Sequence, residues 1–327
     1  LGNVTIKNIG AWENCKSGLY IDNLQGGAGF GSVKVLASPN QGNHFPNNGE
    51  NGLQIISNGS ITMVNVDAFD NYGDGASLNN AGSSSTAGIS ITWGNFWGND
   101  ATGLTALSNG SIAWKFGGAW ENGMFGASLN NAGSSSTASI SITGGNFWGN
   151  GAGTGATGLT AASNGSITWK FGGAWENGGD GASLINTNGS GSVTVAGSNK
   201  ERMWFGYNGS SGLIIESKGQ ITLQYATAYY NVADGFKLNN FFSPLNKNVN
   251  VAEVDMDSNQ GGGLYVLSRG AISVKGMDAS SNGKYGAYLD NHEGVGGVTV
   301  TTTSTWTRNG FNGNTLSGLY ILSAGAV

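Results

Sequence analysis

The chain has 327 residues, of which 59 are Gly and only 3 are Pro, and charged residues make up 10% of it. So much glycine without a three-residue period excludes collagen, and a hydrophobic fraction of 38% with 10 Trp and 13 Phe can build a core. The formal net charge is −5 and the basic residues are scattered, so we expect no nucleic-acid partner. Cys15 is the only cysteine, and no apolar run is long enough to cross a bilayer, so neither an internal disulfide nor a membrane span is predicted.

Two kinds of repeat alternate along the whole chain, and repeats of this kind determine the fold. The first kind opens with G-L-x-x-x-S-x-G-x-I, at Gly52, Gly103, Gly158, Gly212, Gly263 and Gly318. The second kind opens with G-A-x-L-x-N or a close variant, at Gly18, Gly75, Gly126, Gly181, Gly235 and Gly286. Both ends of the chain fall at nearly the same phase of the repeat. We therefore expect residues 1–327 to be one continuous segment of a longer array.

Each unit contains short runs with the period of two that is typical of β-strands. In chain order, clear examples are Ile112/Trp114/Phe116, Ile140/Ile142, Val193/Val195 and Val298/Val300. Gly, Asn and Ser clusters separate the runs, and these residues favour turns. A unit with about three short strands predicts one coil of a parallel β-helix. The chain is thus predicted to be all-β, a single-stranded parallel β-helix (β-solenoid) of about 12 coils in alternating short and long units.

Identical polar residues recur at fixed positions and predict columns that stack from coil to coil. Units of the first kind share a serine, at Ser57, Ser108, Ser163, Ser217, Ser268 and Ser323, with a glycine two residues later. They also share an asparagine, at Asn14, Asn71, Asn122, Asn177, Asn231 and Asn282. Units of the second kind share another, at Asn23, Asn80, Asn131, Asn186, Asn240 and Asn291. Stacked Asn side chains are predicted to hydrogen-bond along such columns.

One inward column is predicted to alternate small and large residues. Three positions before its asparagine, the first kind has Ala11, Ala68, Ala119, Ala174, Ala228 and Ala279. At the matching position the second kind has Phe96, Phe147, Phe205, Met256 and Trp306. Such alternation fills a narrow core at native density. Two segments, Ser38–Asn51 and Asn199–Asn208, depart from the pattern and are predicted to be loops.

Outward carboxylates are the groups to consider for catalysis, because glycoside hydrolysis needs a pair of Asp or Glu residues. Asp255 and Asp257 flank an inward residue and should face outward together, and a looser group contains Asp67, Asp70 and Asp74. Neither group has a matching His or a neighbouring Arg, and the sequence predicts that five basic residues are isolated: His44, His292, Arg202, Arg269 and Arg308. We therefore expect a solvated strand edge with no catalytic residue, no metal site and no cofactor.

Aromatic residues occupy the position directly after the inward Ala/Phe column, where strand parity turns a side chain to solvent. Five successive coils carry Phe69, Trp97, Trp120, Trp148 and Trp175 there. A continuous apolar stripe of this kind predicts an interface with a neighbouring chain. Two alternatives stay open. The rings stack on one another and stiffen the rod, or they form a platform for sugar rings.

The alternating G-L-x-I-x-S-x-G-x-I-T and G-A-x-L-x-N units, ending in N-G or D-G, resemble right-handed parallel β-helix repeats of giant bacterial surface proteins, including adhesins similar to filamentous haemagglutinin. The resemblance covers the whole chain and implies right-handed coils. It also implies a structural rather than enzymatic role, as a segment of an extracellular fibre, sheath or adhesin stalk. The implied partners are copies of the chain or neighbouring chains, with surface glycans as a further option. The alternatives are a carbohydrate-binding β-helix and, less favoured, a polysaccharide lyase or hydrolase.

Overall fold

The computed structural model describes residues 2–24, 31–38, 41–82, 86–133, 137–244, 246–304 and 308–327, and these residues form strands and turns without a helix. The strands are β1 (Val4–Lys7), β2 (Leu19–Asn23), β3 (Val33–Leu36), β4 (Asn43–Pro46), β5 (Leu53–Ser57), β6 (Ile61–Phe69), β7 (Ala76–Asn79), β8 (Ile89–Trp97), β9 (Leu104–Leu107), β10 (Ile112–Trp120), β11 (Ala127–Asn130), β12 (Ile140–Trp148), β13 (Leu159–Ala162), β14 (Ile167–Trp175), β15 (Ala182–Asn186), β16 (Val193–Ala196), β17 (Met203–Gly206), β18 (Leu213–Ser217), β19 (Ile221–Tyr229), β20 (Phe236–Asn239), β21 (Val249–Asp257), β22 (Leu264–Leu267), β23 (Ile272–Ser280), β24 (Ala287–Asn291), β25 (Val298–Thr301) and β26 (Leu319–Ser323).

The strands form two long parallel sheets, and each coil contributes to both. In the described chain the smaller sheet contains twelve strands in the order β2-β5-β7-β9-β11-β13-β15-β18-β20-β22-β24-β26. The larger sheet follows the path β1-β3-β6-β8-β10-β12-β14-β16-β19-β21-β23-β25, with β4 and β17 beside that path. Strands that neighbour in space are separated in the chain by a whole coil, and they pair in parallel. The protein is therefore a parallel β-helix, as the repeat predicted, and it is right-handed, as the resemblance implied.

The nine-residue strands of the larger sheet bend in the middle, at a residue with positive φ. This bend residue is Trp93 in β8, Phe116 in β10 and Phe171 in β14, with φ of 57°, 59° and 61°. In β12 it is Gly144, with φ of 68°. The ladder skips the bend residues, so pairing resumes on the far side in the same register. The bend thus divides each long strand into two limbs that face different directions.

The predicted alternation of small and large residues in the core is confirmed for the described residues. Ala119 pairs in register with Phe96 on one side and Phe147 on the other, and all three side chains are fully buried. The same alternation continues through Ala174, Phe205, Ala228, Met256 and Ala279. Trp306 lies outside the described residues. The alternating sizes let consecutive coils interlock in a narrow core.

One asparagine ladder runs through all twelve coils, which is twice the length that the sequence columns indicated. Its members alternate between the two kinds of unit: Asn14, Asn48, Asn71, Asn99, Asn122, Asn150, Asn177, Asn208, Asn231, Asn259, Asn282 and Asn314. Each Nδ2 donates to the Oδ1 of the next member at 2.8–3.1 Å. Most of these amides are buried, so the ladder satisfies polar groups that would otherwise be costly.

The second predicted asparagine column is not a ladder of its own. Asn23, Asn186 and Asn291 pair in register with Ser57, Ser217 and Ser323 of the serine column. Asparagine and serine therefore alternate there instead of stacking on their own kind. In each repeat of the first kind, the serine hydroxyl accepts a hydrogen bond from the glycine N–H two residues later, at 2.9–3.3 Å. This bond explains why the sequence keeps serine and glycine at that spacing.

Two segments predicted to leave their coils contribute strands instead. Strand β4 lies within Ser38–Asn51 and pairs with β6, which places Phe45 in the core. Strand β17 lies within Asn199–Asn208 and pairs with β14 and β19. The prediction of loops was wrong there because each segment only interrupts a long strand at its bend. The two limbs, β3 with β4 and β16 with β17, still join the larger sheet.

Candidate functional site

The predicted aromatic stripe is present on the outer face of the larger sheet. Its rings are partly exposed and stack in sequence from coil to coil: Phe69, Trp97, Trp120, Trp148 and Trp175. Neighbouring ring centroids lie 4.2–6.4 Å apart, and the ring planes differ by no more than 9°. The rings therefore form one continuous row of parallel stacks along the outer face. We name this row of five residues, together with Trp204, the aromatic track.

Trp204 extends the stack by one ring, although the sequence column ends at Gly206. Gly206 is the residue in register with Trp175, and it has no side chain to continue the row. Trp204 lies two residues earlier on the same face of β17, and its indole stacks on that of Trp175 at 5.3 Å. The sequence column does not include Trp204 because the column contains one register position only. Strand parity, which places residues two apart on one face, was the available signal.

A second row of aromatic residues stands at the bend of the same strands. Trp93 and Phe116 are 55% and 42% exposed, and their rings stack at 4.7 Å. Phe171 is the bend residue two strands beyond Phe116. Gly144 occupies the same position on the strand between them and supplies no ring. The sequence indicated these residues only as members of strands, since a positive φ at an aromatic residue is uncommon.

A groove of about 730 Å³ lies between the bend row and the track. The track contributes Trp120, Trp148 and Trp175 to its lining, and the bend row contributes Trp93, Phe116 and Phe171. Its polar lining consists of Asn95, Asn146, Thr143 and Glu201, and glycines complete the floor. Asn146 is exposed, and Asn95 donates a hydrogen bond to Asp67 at 2.9 Å. Concave sites lined by aromatic rings with a few polar groups are typical of ligand binding.

The groove lies along the axis of the β-helix, across strands β8, β10, β12 and β14. Three strand spacings of ~4.8 Å give it a length of roughly 14 Å, which suits a chain-like ligand better than a single compact one. Glu201 is its only charged lining residue among those that the structure describes. Lys115 and Lys170 precede two of the bend residues, and Glu121 and Glu176 follow two rings of the track. The charges on the two sides therefore offset each other.

A cluster of carboxylates continues the same outer face beyond Trp204. Asp255 lies two strands from Trp204 in register, and Asp278 is its direct neighbour on β23. The Tyr229 hydroxyl donates a hydrogen bond to Asp255. Burial is the main cause that raises the pKa of Asp255, while the charges of Asp278 and Asp257 add to it and the Tyr229 hydroxyl opposes it. Paired carboxyl groups, one of them with a raised pKa, are an arrangement that acid–base chemistry uses.

Four of the five basic residues have partners in the fold, which corrects the prediction that they are isolated. His44 Nδ1 lies 3.3 Å from an Asp67 carboxylate oxygen, and His292 Nδ1 lies 2.6 Å from Asp290 Oδ1. The Arg202 guanidinium donates to the backbone carbonyl of Glu253 at 2.6 Å, and its charge lowers the pKa of Asp255. The Arg269 guanidinium lies 4.9 Å from the ring centre of Phe241. For His44, Arg202 and Arg269 the prediction failed because residues one or two coils apart become neighbours, whereas the partner of His292 lies two residues away on the same turn.

Asp255 and Asp257 both lie partly exposed on the outer side of β21, as predicted. Asp67 belongs to the row that forms the groove floor, and Asp74 instead accepts hydrogen bonds from Thr102 and Thr105 at another turn. The looser predicted group is therefore not a single site. Among the described residues, no group of three His, Cys, Asp or Glu side chains is arranged to hold a metal ion. The described part of the chain also has no helix that could cross a membrane.

The architecture and groove can be compared with known proteins. No family model and no curated protein matches the sequence. The chain superposes on the A-module of mannuronan C-5 epimerase AlgE4 of Azotobacter vinelandii with a TM-score of 0.51 and 13% identity, over 100% of this chain and 90% of that one. For the AlgE6 A-module of the same organism the TM-score is 0.51 and the identity 12%, over 98% and 91% of the two chains. Pectate lyase Pel9A gives a TM-score of 0.40 at 15% identity, over 91% and 69%.

At these identities the similarity shows a shared fold, the parallel β-helix. The comparisons support the parallel β-helix architecture that the resemblance to bacterial surface repeats implied. They do not support the assignment as an adhesin. The expectation that the chain is not an enzyme, which followed from the resemblance and from the lack of a base near the carboxylates, is wrong. Two solved structures that superpose on nearly the whole chain are A-modules of mannuronan C-5 epimerases, so a parallel β-helix fold gives no reason to exclude catalysis.

Proposed function

We propose that this protein is a polysaccharide-active β-helix that binds a neutral polysaccharide along the groove between the aromatic track and the bend row. The observation that carries the proposal is the composition of the groove. Six aromatic side chains, two Asn, one Thr and a single carboxylate line a cavity of about 730 Å³. Sugar rings combine apolar C–H surfaces with hydroxyl groups, so they fit a lining of aromatic rings and amides.

The direction of the groove and the charges around it support a polymer without formal charge. The groove follows the helix axis, so a bound chain lies across several coils and contacts equivalent residues in each. Lys115 and Lys170 on one side are offset by Glu121 and Glu176 on the other. A strongly anionic polymer would also meet Glu201 inside the groove. We therefore expect binding that depends little on salt, since surface charges are screened at high ionic strength.

Calorimetric titration of the full chain with soluble neutral glucans, and with a polyuronate for comparison, tests this function. We expect saturable binding of a neutral polymer that persists in 0.5 M salt. Replacing Trp120 and Trp148 together with Ala should weaken it at least tenfold. Trp12 is the matched control, because it is an exposed indole at the track position of the first coil but outside the groove. Failure of every neutral polymer to bind, or equal loss in Trp12→Ala, would contradict the proposal.

A second candidate function, cleavage of the bound polysaccharide, is favoured by the carboxylates beyond the track. Burial raises the pKa of Asp255, and Asp278 is its direct neighbour on the next strand, so two carboxyl groups stand side by side as glycoside hydrolysis requires. Incubation with each polymer that binds, followed by assays for reducing ends and unsaturated products, tests for cleavage. Asp255→Asn should then abolish product formation and leave binding unchanged. Product formation that Asp255→Asn leaves unaltered would place the reaction elsewhere.

Association of chains through the track, in an extracellular fibre or adhesin stalk, remains a prediction. The same holds for an extracellular location. Association of chains and polysaccharide binding would involve the same residues, because a neighbouring chain on the track would cover the groove that the polymer occupies. A bound polymer should therefore compete with any assembly of the chains.

A further inference from the structure

Gly144 interrupts the bend row at the middle of the groove. The residues at this position on four consecutive strands are Trp93, Phe116, Gly144 and Phe171. Three of the four carry an aromatic ring in spite of a positive φ, and these three have nearly the same φ as the glycine. The backbone at this position thus accepts an aromatic residue. Conformational need for glycine therefore does not explain its presence in β12.

The missing side chain leaves a notch between the rings of Phe116 and Phe171. These residues stand two strands apart, at a spacing of roughly 9.6 Å, which is twice the spacing of neighbouring strands. Trp93 and Phe116, on adjacent strands, already stack at 4.7 Å. A spacing of this size leaves room for one additional ring between them. A Cβ on Gly144 would meet Phe116 Cδ1 at 3.1 Å, so the Phe116 ring lies close over Gly144 as one side of the notch, and any side chain at this position would push against that ring.

The notch is surrounded by the polar groups of the groove. Strand β12 supplies Thr143 immediately before Gly144 and Asn146 two residues after it, and both line the cavity. Asn146 is exposed, so its amide is accessible to a ligand. Trp148, on the same strand, forms the opposite wall. A ring that enters the notch therefore has apolar neighbours on both sides and hydrogen-bonding groups along its edge.

We propose that the Gly144 notch is the subsite that holds one pyranose ring of the bound polysaccharide. The ring inserts between Phe116 and Phe171, and its hydroxyl groups bond to Thr143 and Asn146. This inference rests on the proposed function and identifies the position in the groove that selects the ligand. A polymer with bulky substituents on each ring would not fit between the two phenyl groups, whereas an unsubstituted neutral sugar would.

The test is to fill the notch. Gly144→Phe places a ring where the neighbouring strands carry one, and we expect neutral polysaccharide binding to weaken at least tenfold in calorimetric titration. The matched control is Asn65→Phe. Asn65 is the bend residue of β6 with φ of 52°, and a ring there lengthens the row on the side away from the notch. We expect its affinity to match the wild type, and circular dichroism should show that both variants keep the fold.

Two further variants keep the inference testable if Gly144→Phe does not fold. Phe116→Ala removes one side of the notch and Asn146→Ala removes its amide, and each should weaken binding severalfold. If Gly144→Phe folds and binds like the wild type, the notch is not the subsite, although groove binding stands as long as the Trp120/Trp148 variant loses affinity. If the wild type itself binds no neutral polymer, both the subsite and the proposed function are contradicted.

Discussion

The indole of Trp114 packs edge-on against the ring of Phe147 in the next coil, with ring centroids 5.4 Å apart and planes at 79°. In register, Trp114 faces Ile142 and Phe147 faces Ala119. Each coil therefore places one large and one smaller residue at these two positions, and the next coil reverses them. This alternation of large and smaller residues from coil to coil fills the core. Edge-to-face pairs of aromatic rings add to the stability that burial alone supplies.

Enlarging Ala119 should disrupt this alternation of large and smaller residues in the core. Ala119→Phe would set three phenyl rings in consecutive coils, and overpacking of this kind costs about 1–3 kcal/mol. The measurement is the urea midpoint of unfolding, compared with that of Ala113→Phe. Ala113 lies on the same strand but is partly exposed on the outer face, so its variant should unfold close to the wild type. An unchanged midpoint for Ala119→Phe would show that this column is not tightly packed.

The repeat predicts the fold because equivalent residues of successive coils become neighbours in the sheet. Columns such as Ala119 with Phe147 could thus be read directly from the sequence. The contact of His44 with Asp67 could not, because His44 lies in a segment where a long strand is interrupted and the spacing changes. Trp204 lies in a similar segment, and only strand parity, not the column itself, indicated its place. The groove was also beyond prediction. It depends on the bend residues, and the positive φ that sets Phe116 against the track is not visible in the apolar pattern.

Removing one member of the asparagine ladder should destabilise the protein. Asn122 Nδ2 donates to Asn150 Oδ1 at 2.8 Å and to the Phe96 carbonyl at 3.1 Å, and its Oδ1 accepts from Asn99 at 2.9 Å. Asn122→Ala leaves buried partners unsatisfied, and we expect a loss of about 1–3 kcal/mol. Asn146→Ala, which removes an exposed amide, is the control. Equal midpoints of unfolding for the two variants would show that the ladder contributes little.

Asp255 should make the stability depend on pH. Its pKa is raised in the folded state, chiefly by burial, so the folded protein holds this proton more tightly than the unfolded chain. The contribution to stability is therefore fully present below the ordinary Asp pKa of about 3.9 and is lost as the pH rises through the folded-state pKa. Asp255→Asn should flatten that decline in urea unfolding measured from acid to neutral pH. Asp100→Asn, which alters an exposed carboxylate, should keep the wild-type slope.

The track can be tested for association between chains by replacing Trp97, Trp120, Trp148 and Trp175 with Ser. Stacked pairs contribute about 0.5–1.5 kcal/mol each beyond their burial, so the variant should unfold at lower urea concentration while its β-helix circular dichroism persists. If the stripe joins chains, sedimentation velocity should show concentration-dependent assembly for the wild type and a monomer for the variant. Because assembly would cover the groove, a neutral polysaccharide should dissociate the wild-type assembly at saturating concentration. A wild type that stays monomeric at all concentrations would contradict the interface, and the stack would then serve to stiffen the coils and to form one wall of the groove.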